Sequence, residues 1–165
     1  FVPDEPHLFD HLTALDHLIL FSRLYGVADG PTRAEAILAD AGLHDQRLSF
    51  PGELSRGMKQ KLVIACALLH RPEALVLDEP LTGLDPAAMR RMKRTVSDTA
   101  AAGASVIVSS HMLHLVEEVC DRVLIVSHGK SVLEGTLEEI RTQLPDVDAD
   151  ADLETLFLKA TGGDQ

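Results

Sequence analysis

A chain of 165 residues, 45% of them hydrophobic, is of ordinary size for a single domain and can bury one core. Its formal net charge of -11 at pH 7 argues against broad, nonspecific attraction to nucleic acid; the only basic clusters are Lys59 with Lys61, and Arg90, Arg91, Lys93 and Arg94. No apolar run reaches the roughly 20 residues of a membrane-spanning helix, and no basic segment precedes an apolar stretch with a cleavage site, so the chain reads as soluble.

The opening FVPDEP begins with Phe1 rather than Met and has no helix or strand start of its own, the pattern expected inside a longer chain. Thr13 then opens a helix whose apolar residues Leu15, Leu18, Ile19, Phe21 and Leu24 recur at helical spacing, and Gly26 ends it. A capping box of Thr32 and Glu35 predicts a second helix through Ile37 and Leu38, stopped by Gly42, so that residues 7–52 read as helical. From Ser55 the pattern turns to alternating α/β. A helix runs to about His70, a strand covers Ala74 to Leu77, a helix Pro86 to Ala102, and a strand Ser105 to Ser109. Both strands are apolar at nearly every residue, as strands covered by helices on both faces must be. A helix from Met112 to Cys120, the strand RVLIV, a turn at Ser127 to Lys130 and the strand SVLEG follow. The tail reads as two amphipathic helices, LEEIRTQL and DLETLFLKATG, around an acidic loop at 146–152. Cys66 and Cys120, both in apolar runs, read as buried small residues rather than a disulfide or metal ligands, which fits a reducing cytoplasm.

The chemistry is concentrated between residues 53 and 86. ELSRGMKQK opens a helix, with Ser55 and Gly57 at an N-terminus whose unpaired amides and positive dipole end suit an anion. ALVLDEP ends a strand on adjacent carboxylates, Asp78 where it can hold magnesium and Glu79 where it can activate a water, the outline of a nucleotide hydrolase. Asp85 in GLDP stands where a helix N-cap belongs before Pro86. His111 follows the strand ASVIVSS at its carboxyl end, where ligands gather in open α/β sheets, whereas His7, His11 and His17 lack companion ligands at zinc spacing. The 165 residues contain no G-x-x-x-x-G-K-[ST] phosphate loop; Gly129-Lys130-Ser131 imitates its end, but Leu124 stands where the first glycine belongs and a strand follows, so it reads as a hairpin turn.

In this order the segments resemble the ATP-binding subunit of ABC transporters: ELSRGMKQK its signature sequence, ALVLDEP its Walker B strand, GLDP its D-loop, and SSH at 109–111 its switch histidine. Arg56 and Met58 replace the glycine and glutamine of the commonest signature, a variant that resembles the exporter branch. The resemblance implies an α/β fold, the P-loop NTPase-type parallel sheet (RecA-like core) with an α-helical subdomain, missing the N-terminal Walker A portion. Residues 1–165 would form a partial ATPase domain, with a helical subdomain at about 7–58, the RecA-like core at about 59–135 and a helical tail at 136–165. It further implies that Ser55, Arg56 and Gly57 meet the γ-phosphate of ATP bound to an opposite subunit. Asp78 would hold Mg2+ through water, Glu79 would be the general base, and His111 would hold the attacking water with it. Asp85 would communicate across the dimer, and Asp4 in VPDEP would stand where the family carries a magnesium-contacting glutamine. The implied partners are ATP, a second ATPase subunit packed head to tail, and transmembrane permease subunits that would hold the protein at the inner face of the cell membrane; no nucleic acid is expected. Two other readings stay open on sequence alone: a soluble ABC ATPase of the translation or DNA-repair type, and a truncated, non-catalytic regulatory subunit. The fragment by itself is expected to be inactive.

Overall fold

The computed structural model describes residues 1–144, 147, 148 and 150–162, and divides into two compact units, Phe1–Ser109 and Ser110–Gln165. Of the acidic loop expected at 146–152, Asp146 and Ala149 lie outside the described residues.

The first unit begins with α1 (Ala14–Leu24) and α2 (Gly30–Asp40). Thr13 caps α1 in a reciprocal box with Asp16, satisfying amides that the first helical turn leaves without partners. Gly26, at φ +62°, terminates α1 as expected, and Gly42 at φ +66° ends α2. The start of α2 differs from the expected capping box. The helix begins two residues before Thr32, Asp29 at the N-cap makes no side-chain cap bond, and Pro31 occupies the first turn. Packing sets this boundary, because a Cβ at Gly30 would meet Ser22 Oγ at 2.3 Å. Only a glycine lets α2 approach α1 so closely. The remainder of 7–52 is not continuous helix; it holds two 3₁₀ turns, His44–Gln46 and Pro51–Glu53.

Helix α3 (Arg56–Leu68) packs on these elements through Leu62, Ala65 and Cys66, which form one buried cluster with Ala14, Leu18, Ala34 and Leu38. Each fully buried leucine contributes roughly 1.5–3 kcal/mol. Strand β1 (Ala74–Asp78), helix α4 (Pro86–Ala101) and strand β2 (Ser105–Ser109) then make a parallel crossover, with Leu77 opposite Val108 and Asp78 opposite Ser109. Val2 bridges the other edge of β1, donating to the carbonyl of Val76 at 2.8 Å and accepting from the amide of Asp78 at 2.9 Å. Helical cover on both sheet faces is not what the structure has. Leu75 and Leu77 are buried, but Val76 and Ile107 stay 37% and 63% exposed, so their shared face is open in this chain.

The second unit contains α5 (Leu113–Val119), the antiparallel pair β3 (Val123–Ser127) and β4 (Lys130–Gly135), α6 (Leu137–Gln143) and α7 (Leu153–Thr161). Its core gathers Val123, Ile125, Ile140, Leu153 and Leu156. His128 and Gly129 turn the hairpin with φ of +49° and +74°, as a two-residue turn between right-twisted strands requires. Gly129-Lys130-Ser131 therefore lies on a hairpin and opens no helix. Thr136 caps α6 and Asp152 caps α7. Cys66 is buried as expected, whereas Cys120, at the end of the short α5, is only partly covered; both are free thiols.

Candidate functional site

The parallel register that sets Asp78 opposite Ser109 also supplies its partner: Ser109 Oγ donates to Asp78 Oδ1 at 2.5 Å. One carboxylate oxygen is thereby oriented at the carboxyl end of β1. Glu79 leaves the strand with φ +47°, a left-handed conformation that costs a non-glycine residue free energy and that clusters at functional sites. The surrounding bonds hold it there. The Glu79 amide donates to the carbonyl of Ser109 at 3.0 Å, and Thr82 donates to Glu79 twice, through its amide to the carbonyl at 3.2 Å and through Oγ1 to Oε2 at 3.3 Å. Neither Ser109 nor Thr82 stood out as a partner in the sequence, because only the sheet register and the turn after Pro80 bring them to these carboxylates.

Ser55 caps α3, its Oγ accepting from the amide of Met58 at 3.2 Å. The amides of Arg56 and Gly57, in the first turn, have no carbonyl four residues back within the helix and remain available to an anion. A Cβ at Gly57 would stand 3.1 Å from the carbonyl oxygen of Gly83, so the helix start is packed directly on the turn carrying Gly83, itself at φ +75°. Two residues on, Asp85 caps α4, its Oδ1 accepting from the amides of Ala87 at 2.9 Å and Ala88 at 2.8 Å. The Ala88 bond is the main cause that holds the Asp85 carboxyl below the usual aspartate value. The structure thus packs the start of α3 at Gly57 on the glycine turn that leads to Asp85.

Asp4 lies two residues past the Val2 bridge, and its Oδ1 accepts from Arg56 Nη2 at 3.2 Å. Both side chains are about half exposed, and such a pair adds only ~0–1 kcal/mol to stability. It serves to join the VPDEP segment to the start of α3. His111 lies in the second unit, exposed, just before α5. His17, given no role by its sequence neighbours, is buried, and both of its ring nitrogens are engaged, Nε2 by the amide of Phe9 at 2.9 Å and Nδ1 by the carbonyl of Thr13 at 2.7 Å.

Among the described residues no group of three or more His, Cys, Asp or Glu side chains is arranged to hold a metal. This donor set still suits magnesium, which takes one or two protein carboxylates and completes its shell with waters and phosphate oxygens. The oriented Asp78 is such a carboxylate.

A parallel β-α-β crossover with paired carboxylates at its carboxyl end is the architecture of α/β nucleotide-binding domains. Comparison with known proteins gives the family. The sequence profile described as "ABC transporter" matches residues 1–82. ABC-type transporter ATP-binding protein EcsA of Bacillus subtilis (strain 168) is 35% identical over 166 residues, taking in 99% of this chain and 66% of EcsA. Nod factor export ATP-binding protein I of Burkholderia orbicola (strain AU 1054) is 36% identical over 136 residues, 81% of this chain and 45% of that protein. A solved structure described as the ATP-binding subunit of an ABC transporter matches with a TM-score of 0.89 at 34% identity, covering 96% of this chain and 66% of the other. A dimeric ATP-binding cassette in a post-hydrolysis state with ADP and Pi matches with a TM-score of 0.75 at 26% identity, covering 83% and 62%. The chain belongs to the ABC transporter ATP-binding family and has the P-loop NTPase fold. It spans about half to two thirds of the length of these relatives. None of its described helices is long and apolar enough to cross a membrane.

Proposed function

We propose that this chain is part of the ATP-binding and hydrolysing subunit of an ABC transporter and couples ATP hydrolysis to export. The observation that carries the reading is the end of β1, where Asp78 is oriented by Ser109 and Glu79 is held at φ +47° by Thr82 and the Ser109 carbonyl. In this reading residues 1–165 are part of one ATPase domain, about 7–58 its helical subdomain, about 59–135 its RecA-like core and 136–165 a helical tail. Asp78 holds magnesium through water, with Asp4 a further carboxylate toward the metal. Magnesium, when bound, neutralises charge on the phosphate oxygens. Glu79 takes a proton from the attacking water, and His111 positions that water from the γ-phosphate side. Ser55, Arg56 and Gly57 receive the γ-phosphate of ATP bound to a second copy packed head to tail, and Asp85 carries the state of one site toward the other. Permease subunits seat the protein at the inner face of the membrane. The export direction draws on a relative whose name is Nod factor export ATP-binding protein I.

The test is Glu79→Gln in the full-length polypeptide that carries this chain. The amide keeps the shape of the carboxylate and cannot accept a proton, so hydrolysis falls by about 100-fold or more while ATP binding is retained. Turnover at the wild-type rate would rule out Glu79 as the base.

A further inference from the structure

Away from the carboxylates of β1, helices α2, α3 and α4 line an open cleft of about 700 Å³, bordered also by the loop 71–73. That volume lies within the range of small-molecule sites. Its floor is apolar, with Ile37 from α2, Ile64 and Leu68 from α3, and Met92 from α4. Its lining carries four cations, in two pairs, and three carboxylates. At one end Arg33, whose Nε donates to the carbonyl of Leu69, lies near Arg71; at the other Lys61 lies near Arg91, whose guanidinium stands 3.8 Å from where a Cβ would sit on Gly42. Burial first, and then the neighbouring arginine, weakens proton binding by Arg33 (through Arg71) and by Lys61 (through Arg91, opposed by Asp85). Three carboxylates, Asp40, Glu73 and Asp98, also border the cleft, yet among the described residues Lys61, Arg71 and Arg91 form no ion pair with them. Asp85 acts on both Lys61 and Arg91 from outside the cleft lining, yet four cations face three carboxylates over an apolar floor, and an anion at either end would meet two like charges.

We propose that this cleft binds an elongated, mostly apolar small molecule carrying an anionic group at each end, one group to Arg33 and Arg71 and the other to Lys61 and Arg91. The spacing follows from α3. Lys61 and Leu68 are two turns apart, about 10 Å at 1.5 Å per residue, and Arg33 is anchored beside Leu68 at the carbonyl of Leu69. An extended ten-carbon dicarboxylate has a comparable reach. Each anion relieves the repulsion within one pair, and the chain between them covers the floor. Neither Asp78 nor Glu79 lines the cleft and binding there is read without hydrolysis, so the proposal stands apart from the function argued above.

The experiment titrates the chain with decanedioate, decanoate and 1,10-decanediol by calorimetry, and follows the methyl resonances of Ile64 and Met92. Decanedioate is expected to saturate, to bind about tenfold or more tightly than decanoate, to shift both methyls, and to weaken with added salt. The diol is expected to show no saturation. Arg71→Gln and Arg91→Gln, at exposed side chains, each bring decanedioate down to the affinity of decanoate, with thermal melts confirming that the variants fold. Absence of saturable decanedioate binding, equal affinity for dicarboxylate and diol, binding that leaves both methyls unmoved, or binding indifferent to both substitutions overturns the proposal.

Discussion

Replacing Gly57 by alanine tests whether the start of α3 and the Gly83 turn act as one packed unit. Gly57 has ordinary helical backbone, so alanine is conformationally acceptable and would gain up to ~1 kcal/mol in helix propensity. Against that, the new Cβ lands 3.1 Å from the carbonyl oxygen of Gly83 and 3.6 Å from Leu84 Cδ2. The first distance is a few tenths of an ångström too short, and the atom that must yield is backbone. Inserting one methyl group into a packed site costs about 1–3 kcal/mol, so the two effects largely offset and net destabilisation should be about 2 kcal/mol or less. The Gly83 turn absorbs the displacement, and Asp85 at the head of α4 moves with it. In the full-length protein, if it hydrolyses ATP as proposed, that shift should lower hydrolysis by about tenfold, since misplacement of reacting groups by fractions of an ångström is costly. Urea denaturation reads the stability and steady-state phosphate release reads the activity. Gly52→Ala is the control, because a Cβ there meets nothing within 4 Å. If Gly57→Ala hydrolysed at the wild-type rate and gained the full propensity term, the contact with the Gly83 turn would have no bearing on catalysis.

Two further outcomes follow from single contacts. Ser109→Ala removes the hydroxyl that orients Asp78 Oδ1; a hydrogen bond to a charged group is worth ~1.5–3 kcal/mol, discounted here because the pair is partly exposed. Magnesium dependence of hydrolysis should shift to higher concentration with little loss of fold, and an unchanged magnesium profile would remove Ser109 from the site. Burial pushes the Cys66 thiol up to about 12, while the less completely covered Cys120 is raised by burial and by Asp121. Because the thiolate is the reactive form and the raised value keeps the thiol protonated, a maleimide at pH 8 should label Cys120 first and Cys66 only on unfolding, as peptide mass spectrometry would show. Equal labelling of the two in the folded chain would contradict the packing described for α3.

Most elements were legible because local signals agreed with the packing that followed. Thr13 with Gly26 framed α1, Ser55 opened α3, Asp85 and Pro86 opened α4, and the His128-Gly129 turn set the hairpin. The exceptions are tertiary. Thr32 and Glu35 spell a capping box, but the contact of Gly30 with Ser22 starts α2 two residues earlier. The apolar character of Val76 and Ile107 signals cover that this chain leaves off one face. In the candidate site, the motif order singled out Asp78, Glu79 and Ser55, whereas the partners they have in the structure required long-range pairing. Ser109 reaches Asp78 across 31 residues and Asp4 reaches Arg56 across 52.

The composite site is tested most directly by mixed dimers of the full-length protein, with Glu79→Gln and Ser55→Arg placed on the same or on different copies and each species isolated through two affinity tags. If one copy's Glu79 works with the other's Ser55, substitutions on different copies leave one intact site and about half the hydrolysis, while both on one copy spoil both sites. The reverse pattern, activity retained when both lie on one copy and lost when they are divided, would show that each site is built within a single chain.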